Sequence, residues 1–218
     1  MQAITLTELV DGLLDGPRPL PIVSAGDPVL RTPALSYEGQ LGDERLHRLV
    51  RAMRETMRAA PGVGLAAPQV GIPLRLAVIQ DPAEVPEAVR EARCRVPQPF
   101  RVLVNPSYEP VGEARAAFFE GCLSVPGWQA VVARHGRVRL RGQDEAGHEI
   151  DEEFSGWAAR IVQHETDHLD GRLYVDIAET RSLSATHHVI ERWSQPTPDL
   201  AARELGFTLA NRPPADGV

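Results

Sequence analysis

The stretch from Ser155 to Gly171 constrains this 218-residue chain more than any other. Ser155 can cap a helix running from about Gly156 to Leu169, and Gly171 supplies a C-terminal stop. Trp157, Ala158, Ile161, Val162 and Leu169 surround much of that helix, and a helix apolar on most sides is buried. The same helix carries His164, Glu165, Asp167, His168 and Asp170. Burying so many polar groups is costly unless they are partnered or used, so this conflict is the strongest functional signal in the chain.

His164-Glu165-Thr166-Asp167-His168 has the form H-E-x-x-H. Residues four apart share a helix face, so both imidazoles can reach one cation. Glu165 lies one residue round, near enough to meet a metal-bound water but not placed to be a ligand. A cation lowers the pKa of that water towards neutral, and a carboxylate can then take and return the proton. With this chain's His and Glu frequencies, the spacing arises by chance about 0.02 times, which favours metal binding over coincidence.

A catalytic site usually needs a third protein ligand. One class of zincin peptidase extends the motif to H-E-x-x-H-x-x-G-x-x-H; this chain follows it through Gly171 and then has Tyr174 in place of the last histidine. His187, His188 and Glu191 lie at usable distances downstream, and Cys122 lies upstream. A lone cysteine is more often a small buried hydrophobe than a ligand, and the flanking Gly121 shifts that balance only modestly. Spacing leaves all four open. Cys94 sits in a Pro- and Arg-rich stretch without a nearby histidine and reads as a bystander.

The rest of the chain reads as one domain, residues 1–218, without repeats or a long linker. A short helix is expected over Leu6 to Leu14, capped by Thr5 or Thr7, within an N-terminal extension of residues 1–20. Residues Pro17 to Pro33 read as extended. Leu46, Leu49, Val50, Met53 and Met57 recur at helical spacing from Asp43, a candidate N-cap, to Ala60, where Pro61-Gly62 stops the helix. Strands are expected at Arg75 to Ile79 and Arg101 to Val104, with an exposed excursion at Asp81 to Pro99. Gln129 to Ala133 and Val138 to Arg141 read as a strand pair, followed by a turn at Glu145-Ala146-Gly147 and a strand at Glu149 to Phe154. Residues 199–218 read as a loosely attached tail.

The formal net charge of −7 argues against a broad nucleic-acid-binding surface, so no direct DNA binding is expected. All 23 basic residues are arginine, which excludes Schiff-base chemistry and a phosphate-loop lysine. No apolar run approaches the roughly 18 residues of a membrane span. Glu8, Asp11 and Asp15 near the start fit neither a secretory signal nor a transit peptide, so a cytoplasmic protein with reduced thiols is expected.

Three segments then occur together: Gly62-Val63-Gly64-Leu65-Ala66-Ala67-Pro68-Gln69-Val70-Gly71, Glu120-Gly121-Cys122-Leu123-Ser124, and Gln163-His164-Glu165-Thr166-Asp167-His168-Leu169-Asp170-Gly171. In this combination, from roughly Pro21 to Ser184, the chain resembles the peptide deformylases. Ser155-Gly156-Trp157-Ala158-Ala159-Arg160-Ile161 is similar to the organelle-type branch of that family. The resemblance implies an α+β fold, with antiparallel β-sheets surrounding a central helix that bears the motif. It implies a divalent metal held by Cys122, His164 and His168, with Fe²⁺ native and Zn²⁺, Ni²⁺ or Co²⁺ found in preparations. It further implies Glu165 as general base and acid, and Gln69 and the Leu123 N–H as oxyanion donors. The substrates would be N-formylmethionyl nascent peptides, with a transient ribosome contact expected and no membrane partner.

By position in these motifs, Val63 and Gly64 would pair with an extended peptide. Val63, Leu123, Ile161 and His164 would line the methionine pocket, with Glu120 and Gly121 at its edge. Val63 stands where isoleucine is common in the family, and Gln129 where well-known bacterial members carry an arginine. Two other readings compete: a zincin-type peptidase with a downstream ligand, and a non-catalytic protein with a structural metal. A Cys94–Cys122 disulfide would destroy the implied metal site, so activity would need reducing conditions.

Overall fold

The unalternating run Leu76-Ala77-Val78-Ile79 is what a strand looks like when both its faces are covered. The computed structural model, which describes residues 4–209, puts that strand between two helical layers. In chain order the elements are α1 (Leu6–Leu14), α2 (Gly42–Ala59), β1 (Gly64–Ala66), β2 (Leu76–Asp81), α3 (Glu87–Ala92), β3 (Gln98–Pro110), β4 (Arg115–Cys122), β5 (Val125–His135), β6 (Arg137–Gln143), β7 (Glu149–Ser155), α4 (Gly156–Leu169), β8 (Ser184–Ala185), α5 (Thr186–Arg192) and α6 (Asp199–Leu205). A five-stranded antiparallel sheet runs β1-β2-β3-β6-β7, and a three-stranded one runs β4-β5-β8. Leu76 and Val78 pack with α2 on one face, while Ala77 and Ile79 pack with Ala158, Ile161 and Val162 of α4 on the other. The fold is therefore the expected α+β arrangement of antiparallel sheets around the motif-bearing helix.

The local expectations fare unevenly. Thr5 caps α1 in a reciprocal capping box with Glu8. α2 begins one residue before Asp43 and has no side-chain cap; Asp43 and Glu44 instead lie in its first turn, where acids favour the helix dipole. Ser155 occupies the N-cap position of α4 but makes no cap bond. The helix start is satisfied by backbone carbonyls from other segments: Gly156 N–H donates to Gly136 O at 2.9 Å, and Trp157 N–H to Cys94 O at 3.5 Å. Pro17 to Pro33 contains a short 3-10 turn at Pro28–Arg31.

The expected pairing of Gln129–Ala133 with Val138–Arg141 does not occur. The first lies in β5, which pairs with β4 and β8; the second lies in β6, which pairs with β3 and β7. The chain changes sheets at Gly136, so neighbours in sequence are not neighbours in register. The excursion after Asp81 is largely exposed, as expected, and is anchored at its ends, because buried Asp81 accepts from Arg95 Nε at 2.8 Å and Nη2 at 2.9 Å. Residues 199–209 also depart from a loose tail: α6 buries Ala201 and Ala202, and Leu205, Phe207 and Leu209 pack against Phe119, Val131 and Val189. Residues 1–3 and 210–218 lie outside the described residues.

Candidate active site

α4 crosses between the two sheets, so its sides face different surroundings. Ala158, Ile161, Val162 and Leu169 enter the core of the larger sheet, while His164 and His168 face Glu120 and Cys122 of β4, and the Glu165 carboxylate lies against Gly64 of β1. The hairpin between β4 and β5 turns through Leu123-Ser124, with Cys122 paired to Val125 at its neck. Cys122 is thereby brought to α4, its Sγ 3.2 Å from His168 Nε2. Donor atoms of Cys122, His164 and His168 all lie within 4.8 Å of one another, the one such grouping among the described residues.

The other spacing-compatible ligands are elsewhere. His187, His188 and Glu191 are exposed on α5. The Tyr174 ring lies against His164, with centroids 6.3 Å apart and planes 22° from parallel, and its hydroxyl donates to Trp128 O at 2.9 Å. Tyr174 therefore packs beside His164, a candidate ligand, where the peptidase pattern would add a further histidine. Both cysteines are free thiols.

The trio suits a soft to borderline divalent cation. A thiolate and two imidazoles are the donor set that Fe²⁺ and Zn²⁺ accept, and three protein ligands leave a position for water. His164 Nδ1 is 3.1 Å from Glu120 Oε2, which fixes the tautomer and leaves Nε2 for a metal. Glu120 is buried and accepts from Arg134 at 2.7 and 3.0 Å and from Arg160. Burial alone would raise its carboxyl, but the guanidinium groups of Arg134 and Arg160 hold it well below the ordinary range. Glu120 was expected at the edge of a side-chain pocket. It borders the cavity, but its carboxylate is taken up in orienting His164.

Arg134 also donates to Asp167 Oδ2 at 2.7 Å, and Asp167 in turn accepts from Tyr108 Oη at 3.2 Å. Neither Arg134 nor Asp167 was singled out from the sequence. Asp167 lay within view, as an unexplained acid on a buried helix, whereas Arg134 had no local signal.

Glu165 is 4 % exposed and its Oε2 has no partner. Burial pushes its carboxyl up to about 7, against the pull of His164 and Arg134. A base poised near neutrality suits proton transfer at physiological pH. Gln69 Oε1 accepts from Ala66 N–H at 2.8 Å, which turns Nε2 towards Cys122 Sγ at 3.5 Å. The Leu123 N–H lies at the hairpin tip, outside the strand ladder.

A cavity of about 630 Å³ opens over these groups. Val63, Gly64, Gly121, Leu123, Ile161, His164 and Glu165 all line it. β1 is an edge strand of one sheet and β4 an edge strand of the other, so the cavity lies between two unpaired edges. Gly64 is required there: a Cβ on it would overlap the Glu165 carboxylate, coming within 2.5 Å of Cδ. Gly64→Ala is thus expected to displace Glu165 and lower kcat about 10²-fold. The melting temperature should change little, since only the end of a side chain moves; kinetics beside thermal melts check this.

Residues 19–183 match the polypeptide deformylase family model. The chain is 67 % identical over 206 residues to peptide deformylase 1 of Streptomyces coelicolor, covering 94 % of each chain. It is 40 % identical over 168 residues to the mitochondrial peptide deformylase of Homo sapiens, covering 75 % of this chain and 69 % of that one. Its fold matches the Met-Ala-Ser-bound crystal structure of a class I type b peptide deformylase from Acinetobacter baumannii with a TM-score of 0.65. That match is 33 % identical and covers 72 % of this chain and 97 % of the other.

Proposed function

The chain belongs to the peptide deformylase family, and from that premise we propose how its own residues remove the formyl group from the N-terminal formyl-methionine of newly made polypeptides. It is a hydrolase of protein biosynthesis whose products are formate and a free N-terminus. The observation that carries the residue-level reading is the convergence of Cys122, His164 and His168 beside a buried Glu165.

Cys122, His164 and His168 would hold the metal. Fe²⁺ is the native ion on this reading, and Zn²⁺, Ni²⁺ or Co²⁺ can take its place. When bound, such a cation polarises a carbonyl and makes hydroxide available near neutral pH. Glu165 takes a proton at its carboxylate and returns it to the departing amine nitrogen. Gln69 Nε2 and the Leu123 N–H donate to the oxygen that becomes negative at the tetrahedral carbon; each such donor is worth about 2.7–4 kcal/mol in comparable sites.

Val63 just before β1, Gly64 on the β1 edge and Gly121 on the β4 edge bind the peptide as an added strand, with backbone bonds on both sides. Val63, Leu123, Ile161 and His164 surround the first side chain. Among the described residues no helix is long and apolar enough to cross a membrane. A substrate that emerges from the ribosome accords with cytoplasmic action and a transient ribosome contact.

Metal-loaded protein is expected to release formate from formyl-Met-Ala-Ser and to leave an unformylated peptide intact. Chelation should abolish the release and metal should restore it. Internal cleavage of the unformylated peptide without formate would support a peptidase instead.

A further inference from the structure

The anchored excursion after Asp81 brings to the cavity a cation that the reaction does not use. Arg93 follows α3 and lines the same cavity as Glu165 and Ile161. Its backbone is fixed on both sides: Arg93 N–H donates to Val89 O at the end of α3, while after it Cys94 O accepts from Trp157 N–H at the start of α4 and Arg95 is clamped by buried Asp81. Arg93 Cζ stands 4.8 Å from the Trp157 ring centroid and 5.5 Å from that of Phe118.

The nearby cations are neutralised, Arg95 by Asp81 and Arg160 by Glu120. Arg93 forms no ion pair with any described residue, and its Nε is buried without a partner. A half-buried guanidinium with unused donors is matched by an acceptor oxygen on whatever enters the cavity.

α4 shows which part of the substrate that is. His164 and Glu165 line the reacting end of the cavity, Ile161 lies about one turn back, and Trp157 another turn back. At ~1.5 Å per residue, Trp157 lies roughly 10 Å from the His164 level along the helix. A first side chain that passes Ile161 therefore directs its tip at Trp157 and Arg93. The methionine thioether is a weak acceptor, whereas its oxidised form presents a polar S=O group.

We propose that Arg93, stacked on Trp157, is a specificity-determining residue at the far end of the first side-chain pocket, and that it admits formylated chains whose first residue is methionine sulfoxide. The inference rests on the site reading above, in which Ile161 lines that pocket. The reaction is unchanged: water's oxygen bonds to the formyl carbon as the C–N bond breaks, formate leaves, the amine nitrogen gains the proton that Glu165 took from water, and the sulfoxide passes through with its oxidation state intact.

The test compares kcat/KM for formyl-Met(O)-Ala-Ser and formyl-Met-Ala-Ser, both read by formate release, in the wild type, Arg93→Met and Arg93→Lys. A hydrogen bond from a charged donor predicts that Arg93→Met lowers the sulfoxide-to-thioether ratio about tenfold or more, with Arg93→Lys in between. The ratio cancels losses common to both substrates, which is how a purely structural role would appear. A smaller fall in the ratio, or wild-type enzyme that turns over only the thioether peptide, overturns the role of Arg93 and leaves the deformylase reading standing. Absence of formate from both peptides overturns the two together.

Discussion

Glu165→Gln is expected to lower kcat for formate release by about 10²–10⁴-fold while leaving the bound metal unchanged. The amide keeps the shape of the carboxylate and can still form hydrogen bonds, but it cannot take a proton. Glu165 lies outside the Cys122, His164 and His168 grouping proposed to hold the metal, so metal content measured on the same preparation should match wild type. KM should change little if, as proposed, the buried Glu165 carboxylate acts on the reacting atoms rather than in holding the peptide. A Glu165→Gln enzyme within tenfold of wild-type kcat would assign the proton transfer to another group.

Arg134→Met should destabilise the protein by about 3–5 kcal/mol, because it leaves buried carboxylates short of a countercharge. Arg134 has 2 % of its side chain exposed and bridges Glu120 and Asp167. Glu120 would keep Arg160 and His164, and Asp167 would keep Tyr108 and Arg172, so neither acid becomes wholly unpaired. Even so, the melting temperature should fall by roughly 6–20 °C for a chain of this size. Arg134→Lys should recover only part of the loss, since an ammonium cannot match the forked guanidinium that spans two acids. A denaturant titration of the three proteins checks this; an Arg134→Met protein as stable as wild type would mean that the network contributes nothing net.

The elements that were legible in the sequence are those with a long, regular pattern. Leu46 to Met57 marked α2, and the apolar surround of His164 and Glu165 marked α4 to its observed ends. β4 was missed because Ala116-Ala117-Phe118-Phe119 neither alternates nor ends in a recognisable breaker. β5 and β6 are adjacent in sequence but do not pair, because the long β3 and the following β7 supply the partners of β6.

The candidate site divides along the same line. His164, Glu165 and His168 were visible through their helical spacing. Cys122 had only the weak local signal of the flanking Gly121 beside the family resemblance, since its proximity to His168 is a contact 46 residues away in the chain. Arg134 and Asp167 belong to a long-range charge network and Arg93 stacks on Trp157 from a distant segment, so nothing near them in sequence shows what each one meets.

Whether Cys122 holds the metal together with His164 and His168 is tested most directly on Co²⁺-loaded enzyme, where a thiolate ligand gives its own charge-transfer absorption. Wild-type protein should show that band, retain one Co²⁺ per chain through dialysis and release formate from formyl-Met-Ala-Ser. Cys122→Ala should lose the band, the retained metal and the formate release together, while its far-UV circular dichroism stays native. A Cys122→Ala protein that keeps its Co²⁺ and releases formate at the wild-type rate would contradict the three-residue centre.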